Sequence, residues 1–165
     1  MRIAICDDEA RGRERIQTLL EKEFDQVQTR EFASGTKLLA AVREGYQPDI
    51  LLLDIAMEGM NGMETARQIK ALSDVILIFV TGVKEQVFQA FDVGAFHYLV
   101  KPVEEERLKE VLNRAIQEVH KRQSTPKFLL VKTGGAHRRI PLEDILYVQN
   151  IGRKVDVHTR TQKLE

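Results

Sequence analysis

Four short apolar runs in this 165-residue chain end in residues able to do chemistry. Arg2–Cys6 gives way to Asp7-Asp8-Glu9, Ile50–Leu53 to Asp54, Val75–Val80 to Thr81-Gly82, and Phe96–Val100 to Lys101-Pro102. Carboxylates gathered in one place repel one another unless a cation sits among them. A hard divalent ion such as Mg²⁺ takes oxygen ligands in an octahedron and keeps several waters, which makes Asp7 and Asp8 candidate metal ligands. Asp54 stands alone at the end of its run and is the candidate nucleophile, since a carboxylate that attacks phosphorus forms an aspartyl phosphate. The metal, the Lys101 ammonium and the Thr81 hydroxyl beside Gly82 would then neutralise the phosphoryl oxygens. Taken singly, each of these is an ordinary turn or cap residue, and Asp8 or Glu9 could simply start a helix. Their weight comes from ending up on one rim, which depends on the elements that carry them.

Those elements alternate. Besides the four runs above, Val27–Phe32 reads as a strand. Between the strands lie helical stripes: Ile16, Leu19, Leu20 and Phe24; Leu38, Leu39 and Val42; Met63, Ala66 and Ile69; a shorter one of Val87, Phe88 and Phe91; and Leu108, Val111, Leu112, Ala115, Ile116 and Val119. Ser34-Gly35 is placed to begin the second helix, Gly45 to end it, and Gly94 to follow the fourth. Nearly continuous apolar runs are the mark of parallel strands covered on both faces. The expected fold is therefore α/β, a (βα)₅ doubly wound parallel sheet. Such sheets bind ligands outside the carboxyl ends of their strands, where the strand order reverses. Asp7, Asp8, Asp54, Thr81 and Lys101 all fall at those ends.

Composition narrows the alternatives. A hydrophobic fraction of 43% with 30% charged residues is that of a folded globular chain. A lone cysteine, Cys6, leaves no disulfide framework and no multi-cysteine zinc site, and beside the acids it reads as a small buried hydrophobe. No apolar run approaches the length of a membrane span, and the N-terminus lacks a signal pattern, so a cytoplasmic protein without a membrane partner is expected. The formal net charge of zero hides an asymmetry: residues 1–126 carry 17 basic and 21 acidic side chains, residues 127–165 carry 8 and 4. The split implies two parts with different partners, the basic one suited to phosphate.

With those residues in view, 1–122 resembles a bacterial response-regulator receiver domain, a flavodoxin-like fold. The matching elements are Asp7-Asp8, Leu53-Asp54-Ile55, Gly62, Thr81-Gly82, Gly94-Ala95, Tyr98 and Lys101-Pro102. The resemblance implies that Asp54 accepts a phosphoryl group from a sensor histidine kinase. Asp7 and Asp8 would hold Mg²⁺ together with Asp54 and the backbone carbonyl of Ala56, and Lys101 would contact the phosphoryl group. It further implies a cis peptide before Pro102 and a switch in which Thr81 moves toward phosphate and Tyr98 follows. By the same resemblance the chain is no enzyme beyond self-phosphorylation from small donors and autodephosphorylation, and it dimerises on phosphorylation. One departure stands out: the family often reads Met-Pro-x-Met-Asp-Gly after the acceptor, whereas this chain has Met57-Glu58-Gly59-Met60-Asn61-Gly62, with Glu58 in the place of a loop-rigidifying proline. Ala56 and Val83 occupy positions whose side chains modulate phosphoryl hydrolysis in that family; neither can orient a water, which implies a long-lived phosphorylated state.

After a short polar linker, 123–126, the pattern turns to β-strands at Phe128–Lys132, Arg138–Pro141, Ile145–Gln149 and Lys154–Thr159, with Gly134-Gly135 as a hairpin turn and no helix signal. Residues 127–165 resemble the start of a LytTR DNA-binding domain, in the stretch from Ile140 to Gln149 and in Lys154-Val155-Asp156-Val157-His158-Thr159. The resemblance implies DNA contact through the loop between those strands, with Arg153 and Lys154 as candidate contacts. The later part of the pattern is missing, so this segment is expected to be the truncated first part of that domain and DNA binding to belong to the full-length parent protein. Two other readings stay open on the residues alone: a Mg²⁺-dependent phosphohydrolase with an aspartyl-phosphate intermediate, which the absence of a second acid at Ala56 disfavours, and a receiver that acts only as an interaction module.

Overall fold

The computed structural model describes residues 1–165 except 84, 86, 125, 126, 134, 135, 152, 153, 161, 162 and 165, and only the backbone of 88, 133, 151, 154, 163 and 164. The chain divides into two units, Met1–Val119 and His120–Glu165.

In the first unit, strands β1 (Arg2–Cys6), β2 (Gln28–Phe32), β3 (Ile50–Leu53), β4 (Ile76–Thr81) and β5 (His97–Val100) alternate with helices α1 (Ala10–Glu23), α2 (Gly35–Arg43), α3 (Gly62–Leu72), α4 (Val87–Asp92) and α5 (Glu105–Ser124), the last of which continues past the unit's end at Val119. All four strand pairs are parallel, in the order β2-β1-β3-β4-β5. This is the doubly wound parallel sheet that the apolar runs predict, in the flavodoxin-like order that the resemblance implies, reversing between β1 and β3. Two-residue periodicity divides each central strand between two cores. Ala4, Cys6, Leu51, Leu53, Leu77 and Phe79 face α2 and α3. Ile3, Ile5, Ile50, Leu52, Ile76 and Ile78 face α1 and α5, where Leu19, Leu20, Val111, Leu112 and Ala115 are buried. Local chemistry agrees at the helix starts: the side chains of Ser34 and Asn61 cap α2 and α3 by accepting from Lys37 N–H and Glu64 N–H.

Registry carries the strand ends to one rim. Cys6 lies opposite Leu53, Leu53 opposite Phe79, and Thr81 opposite Val100. The ladder runs one step further: Asp54 N–H donates to Cys6 C=O at 2.8 Å, Lys101 N–H to Thr81 C=O at 2.8 Å, and Asp7 N–H to Phe32 C=O at 3.1 Å. Asp7, Asp54 and Lys101 are thus fixed by main-chain hydrogen bonds before their side chains act.

Two local expectations change. Of the stripe Val87, Phe88 and Phe91, Phe91 is 64% exposed while its neighbour Ala90 is buried; the side chain of Phe88 lies outside the described residues. A helix of six residues buries little, and one step of about 100° turns Phe91 away from the core. The linker expected at 123–126 begins inside α5, which continues through Gln123 and Ser124; there Ser124 Oγ donates to His120 C=O at 2.7 Å. Thr125 and Pro126 lie outside the described residues.

The second unit holds an antiparallel hairpin, β6 (Phe128–Thr133) with β7 (Ala136–Pro141), and a three-stranded sheet of β8 (Ile145–Ile151), β9 (Lys154–Thr159) and β10 (Lys163–Leu164). The turn expected at Gly134-Gly135 lies outside the described residues. Against the expectation of no helix, a single 3₁₀ turn spans Leu142–Asp144, too short to carry a periodic signal. The core is small, Ile140 and Val157 with Leu129, Val131 and Ile145 around them. Leu130, Leu146, Tyr147, Val148 and Val155 remain exposed, and Tyr147 stacks on His158 with ring centroids 4.1 Å apart.

Candidate functional site

The rim above β1, β3 and β5 brings together four of the residues singled out for chemistry. Lys101 Nζ lies 2.7 Å from Asp7 Oδ2 and 2.6 Å from Asp54 Oδ2, bridging two carboxylates that are 2% and 5% exposed. Asp8, exposed, completes the set: Asp7, Asp8 and Asp54 each offer one oxygen within 4.8 Å of the others. Glu9 is peripheral, its Oε2 at 3.9 Å from Lys101 Nζ. Partial burial pulls the Lys101 pKa down, but hydrogen bonds and charge from Asp54 and Asp7 outweigh it and hold it above the usual lysine value. Three carboxylates against one ammonium leave two negative charges uncompensated. All three donors are hard oxygens, so the arrangement fits a divalent cation of the Mg²⁺ class.

Each carboxylate is oriented by the chain around it. Asp7 Oδ1 accepts from Glu9 N–H at 2.9 Å, and the Asp7 carbonyl accepts from Arg13 Nη1 at 2.7 Å. Arg13 also donates through Nε to Glu31 Oε2 at 3.0 Å, tying α1 to β2 across the rim. Asp54 Oδ1 accepts from Ala56 N–H at 3.1 Å. Asp8 Oδ2 accepts from Glu58 N–H at 2.9 Å, across 50 positions of sequence. Two glycines make room. A Cβ on Gly12 would come within 2.6 Å of Asp7 Oδ2, and one on Gly62 within 2.0 Å of the Asp54 carbonyl oxygen. None of Arg13, Gly12 or the Glu58 N–H is readable as a site element from sequence: an arginine or glycine on a helix is commonplace, and a backbone donor has no residue signature.

Thr81 and Tyr98 meet at Val83. Thr81 is fully buried and its Oγ accepts from Val83 N–H at 3.3 Å, while the Tyr98 hydroxyl donates to the Val83 carbonyl. The Tyr98 ring lies against Phe79, centroids 6.0 Å apart, and burial, then the charges of Glu85 and Asp54, raise the phenol pKa. Gly82 is exposed, with open space where a Cβ would go. The Lys101-Pro102 peptide is cis. Cys6 is buried under the acids, its Sγ 3.7 Å from Met57 Sδ, and burial pushes its thiol up to about 12. Beside Lys101, a cavity of about 430 Å³ is lined by Ile16, Leu19, Val80, Pro102, Val103 and Leu108, with Arg11 and Arg15. Of the two basic residues expected at DNA, Arg153 lies outside the described residues. Lys154 opens β9 opposite Ile151, its side chain likewise undescribed. Among the described residues no helix is long and apolar enough to cross a membrane.

Comparison with known proteins agrees with this geometry. The family model for the response regulator receiver domain matches residues 3–113. The sensory transduction protein LytT of Oceanobacillus iheyensis is 35% identical over 162 residues, which cover 94% of this chain and 65% of that protein. The transcriptional regulatory protein BtsR of Salmonella typhi is 35% identical over 118 residues, 72% of this chain and 49% of that protein. The chain thus spans 65% of the length of the first of these relatives and about half of the second. Among solved structures, a response regulator receiver domain protein from Clostridium thermocellum superposes with a TM-score of 0.65 at 30% identity, over 75% of this chain and 98% of the other. A CheY-like receiver domain protein from Methanospirillum hungatei gives 0.67 at 27% identity, over 73% of this chain and 97% of the other. With its sheet order, its rim of acids and its matched residues in agreement, the chain belongs to the response regulator receiver domain family.

Proposed function

We propose that this chain is the phosphoacceptor portion of a cytoplasmic response regulator, which receives a phosphoryl group on Asp54 from a phosphohistidine of a sensor kinase. The observation that carries the reading is Lys101 Nζ held between Asp7 and Asp54 at 2.7 and 2.6 Å on the carboxyl-end rim. Asp7, Asp8 and Asp54, with the Ala56 carbonyl, would hold Mg²⁺, which when bound supplies positive charge to the transferring phosphoryl oxygens. The Asp54 carboxylate forms the new O–P bond as the P–N bond to imidazole breaks and its electron pair returns to nitrogen. Lys101 follows the charge from the carboxylates to the phosphoryl oxygens. The apolar cavity beside Lys101 gives an incoming donor protein a surface to desolvate next to the nucleophile.

Thr81 holds the Val83 N–H and Tyr98 the Val83 carbonyl, so a hydroxyl drawn toward phosphate on Asp54 releases a segment to which Tyr98 is tied. In the full-length protein this switch would govern DNA binding by the second domain, with Arg153 and Lys154 near phosphate or bases and with dimerisation on phosphorylation. The similarity to LytT, a sensory transduction protein, across 94% of the chain supports a signalling role for both units, and the similarity to BtsR, a transcriptional regulatory protein, supports a transcriptional output. Domain limits of 1–122 and 127–165 are proposed on the same basis.

The test is incubation of the protein with Mg²⁺ and acetyl phosphate, followed by intact mass, with Asp54→Asn in parallel. Gain of one phosphoryl group in the wild type and none in the variant is the expected result. No gain in either returns the chain to a docking module without phosphoacceptance, and gain in both moves the acceptor elsewhere.

A further inference from the structure

Asp8 differs from its two partners on the rim. Asp7 and Asp54 are buried and held by Lys101, whereas Asp8 is exposed and out of hydrogen-bond contact with that ammonium. An exposed aspartate side chain samples several rotamers, and gathering it onto a cation would normally forfeit that freedom. Here it is already gathered. Its Oδ2 accepts from Glu58 N–H at 2.9 Å, and in that position it offers an oxygen within 4.8 Å of both other carboxylates. A carboxylate has about four lone-pair sites, so one N–H on Oδ2 leaves the remainder open to a cation.

We propose that the main-chain N–H of Glu58 is a positioning donor that preassembles the third carboxylate of the cation site. The donor belongs to the loop after the acceptor strand, and the hydrogen bond joins the end of β1 to that loop with no side chain of the loop involved. Any residue but one could supply it. Proline has no N–H, so a proline at 58 would leave Asp8 unrestrained. In this chain the loop therefore acts on the acidic pair through its backbone, and the identity of the Glu58 side chain is secondary.

The inference rests on Asp7, Asp8 and Asp54 being a Mg²⁺ site, and the experiment separates the two. Mg²⁺ is titrated calorimetrically into the full chain without any phosphodonor, for the wild type, Glu58→Pro, Glu58→Gln, and a protein with the Glu58 amide replaced by an ester. Far-ultraviolet circular dichroism without Mg²⁺ checks that each is folded. Loss of one charge-assisted hydrogen bond in an exposed setting is expected to weaken Mg²⁺ about three- to tenfold in both the proline and the ester protein. Glu58→Gln, which keeps the N–H, stays within about twofold of wild type, the scale of one screened surface charge. Equal affinity in wild type and the ester protein overturns the proposal, as does weakening confined to proline, which would belong to its ring. Absence of Mg²⁺ binding in the wild type overturns the metal site itself and this inference with it.

Discussion

Lys101 is the cation that makes the rim tolerable before any metal arrives, and Lys101→Met tests this. Asp7 and Asp54 are 2% and 5% exposed, and Lys101 touches both. Methionine keeps the volume of the side chain and removes its charge. Two carboxylate oxygens within 4.8 Å of each other, in an effective dielectric of about 20, repel by about 3.5 kcal/mol or more. Breaking a buried ion pair from one side costs about 3–5 kcal/mol, reduced here because the lysine side chain is 25% exposed. The expected loss is about 3 kcal/mol at neutral pH, or roughly 6–12 °C in the unfolding midpoint for a chain of this size. The sign with pH follows from the raised lysine pKa: the stabilisation is complete below the unfolded value of 10.5 and fades as pH climbs through the folded one. Urea unfolding at pH 7 followed by circular dichroism, in chelator and again in excess Mg²⁺, reads the effect. Mg²⁺ at 100 times its Kd adds about 2.7 kcal/mol to any site it fills, and it should bind the variant more tightly because the carboxylates there have lost their competitor. A variant as stable as wild type in chelator, or one that gains no more from Mg²⁺ than wild type does, refutes the reasoning.

Three further outcomes are expected. Gly62→Ala places a Cβ 2.0 Å from the Asp54 carbonyl oxygen and 2.6 Å from Ile55 Cα, both main chain, so the start of α3 must shift and thermal unfolding should show a loss of about 1–3 kcal/mol. Gly82→Ala, with nothing near its Cβ, should unfold at the wild-type midpoint. At alkaline pH, Cys6 keeps its proton to about 12 in the folded chain while an unfolded cysteine ionises near 9.0, so the unfolded state gains as pH rises. Between pH 8 and 10 this takes about 1.4 kcal/mol from the wild type that Cys6→Ala does not lose, measurable as a difference in urea midpoints.

How much of this was legible depends on whether the information rides on a side chain. The runs Ile50–Leu53 and Val75–Val80 are apolar on both faces because the strands they form are covered on both faces, and Leu52 and Leu53 pass to opposite cores. Asp7, Asp54 and Lys101 could be read from sequence because each ends such a run, and parallel registry carries run ends to one rim. The place of Phe91 is not legible, because in a helix of six residues a short apolar stripe does not say that the core takes Ala90 and leaves Phe91 exposed. The turn Leu142–Asp144 and the strand Lys163–Leu164 span three and two residues, too few for a period to register.

The contacts that tie the rim together are a different matter. Ala56 N–H holds Asp54, Glu58 N–H holds Asp8, and the N–H and C=O of Val83 hold Thr81 and Tyr98. All four groups are main chain, so the residue type at 56, 58 or 83 carries no sign of them. A reading by side chains notes Glu58 only as the residue in a proline's place and Val83 only as a side chain that cannot orient a water, and sees neither of these contacts. Ordinary scanning would agree, since alanine keeps every one of these donors and acceptors. Their roles emerge only when the backbone itself is changed, by proline or by an ester, and silent alanine variants at 58 and 83 are what the geometry requires.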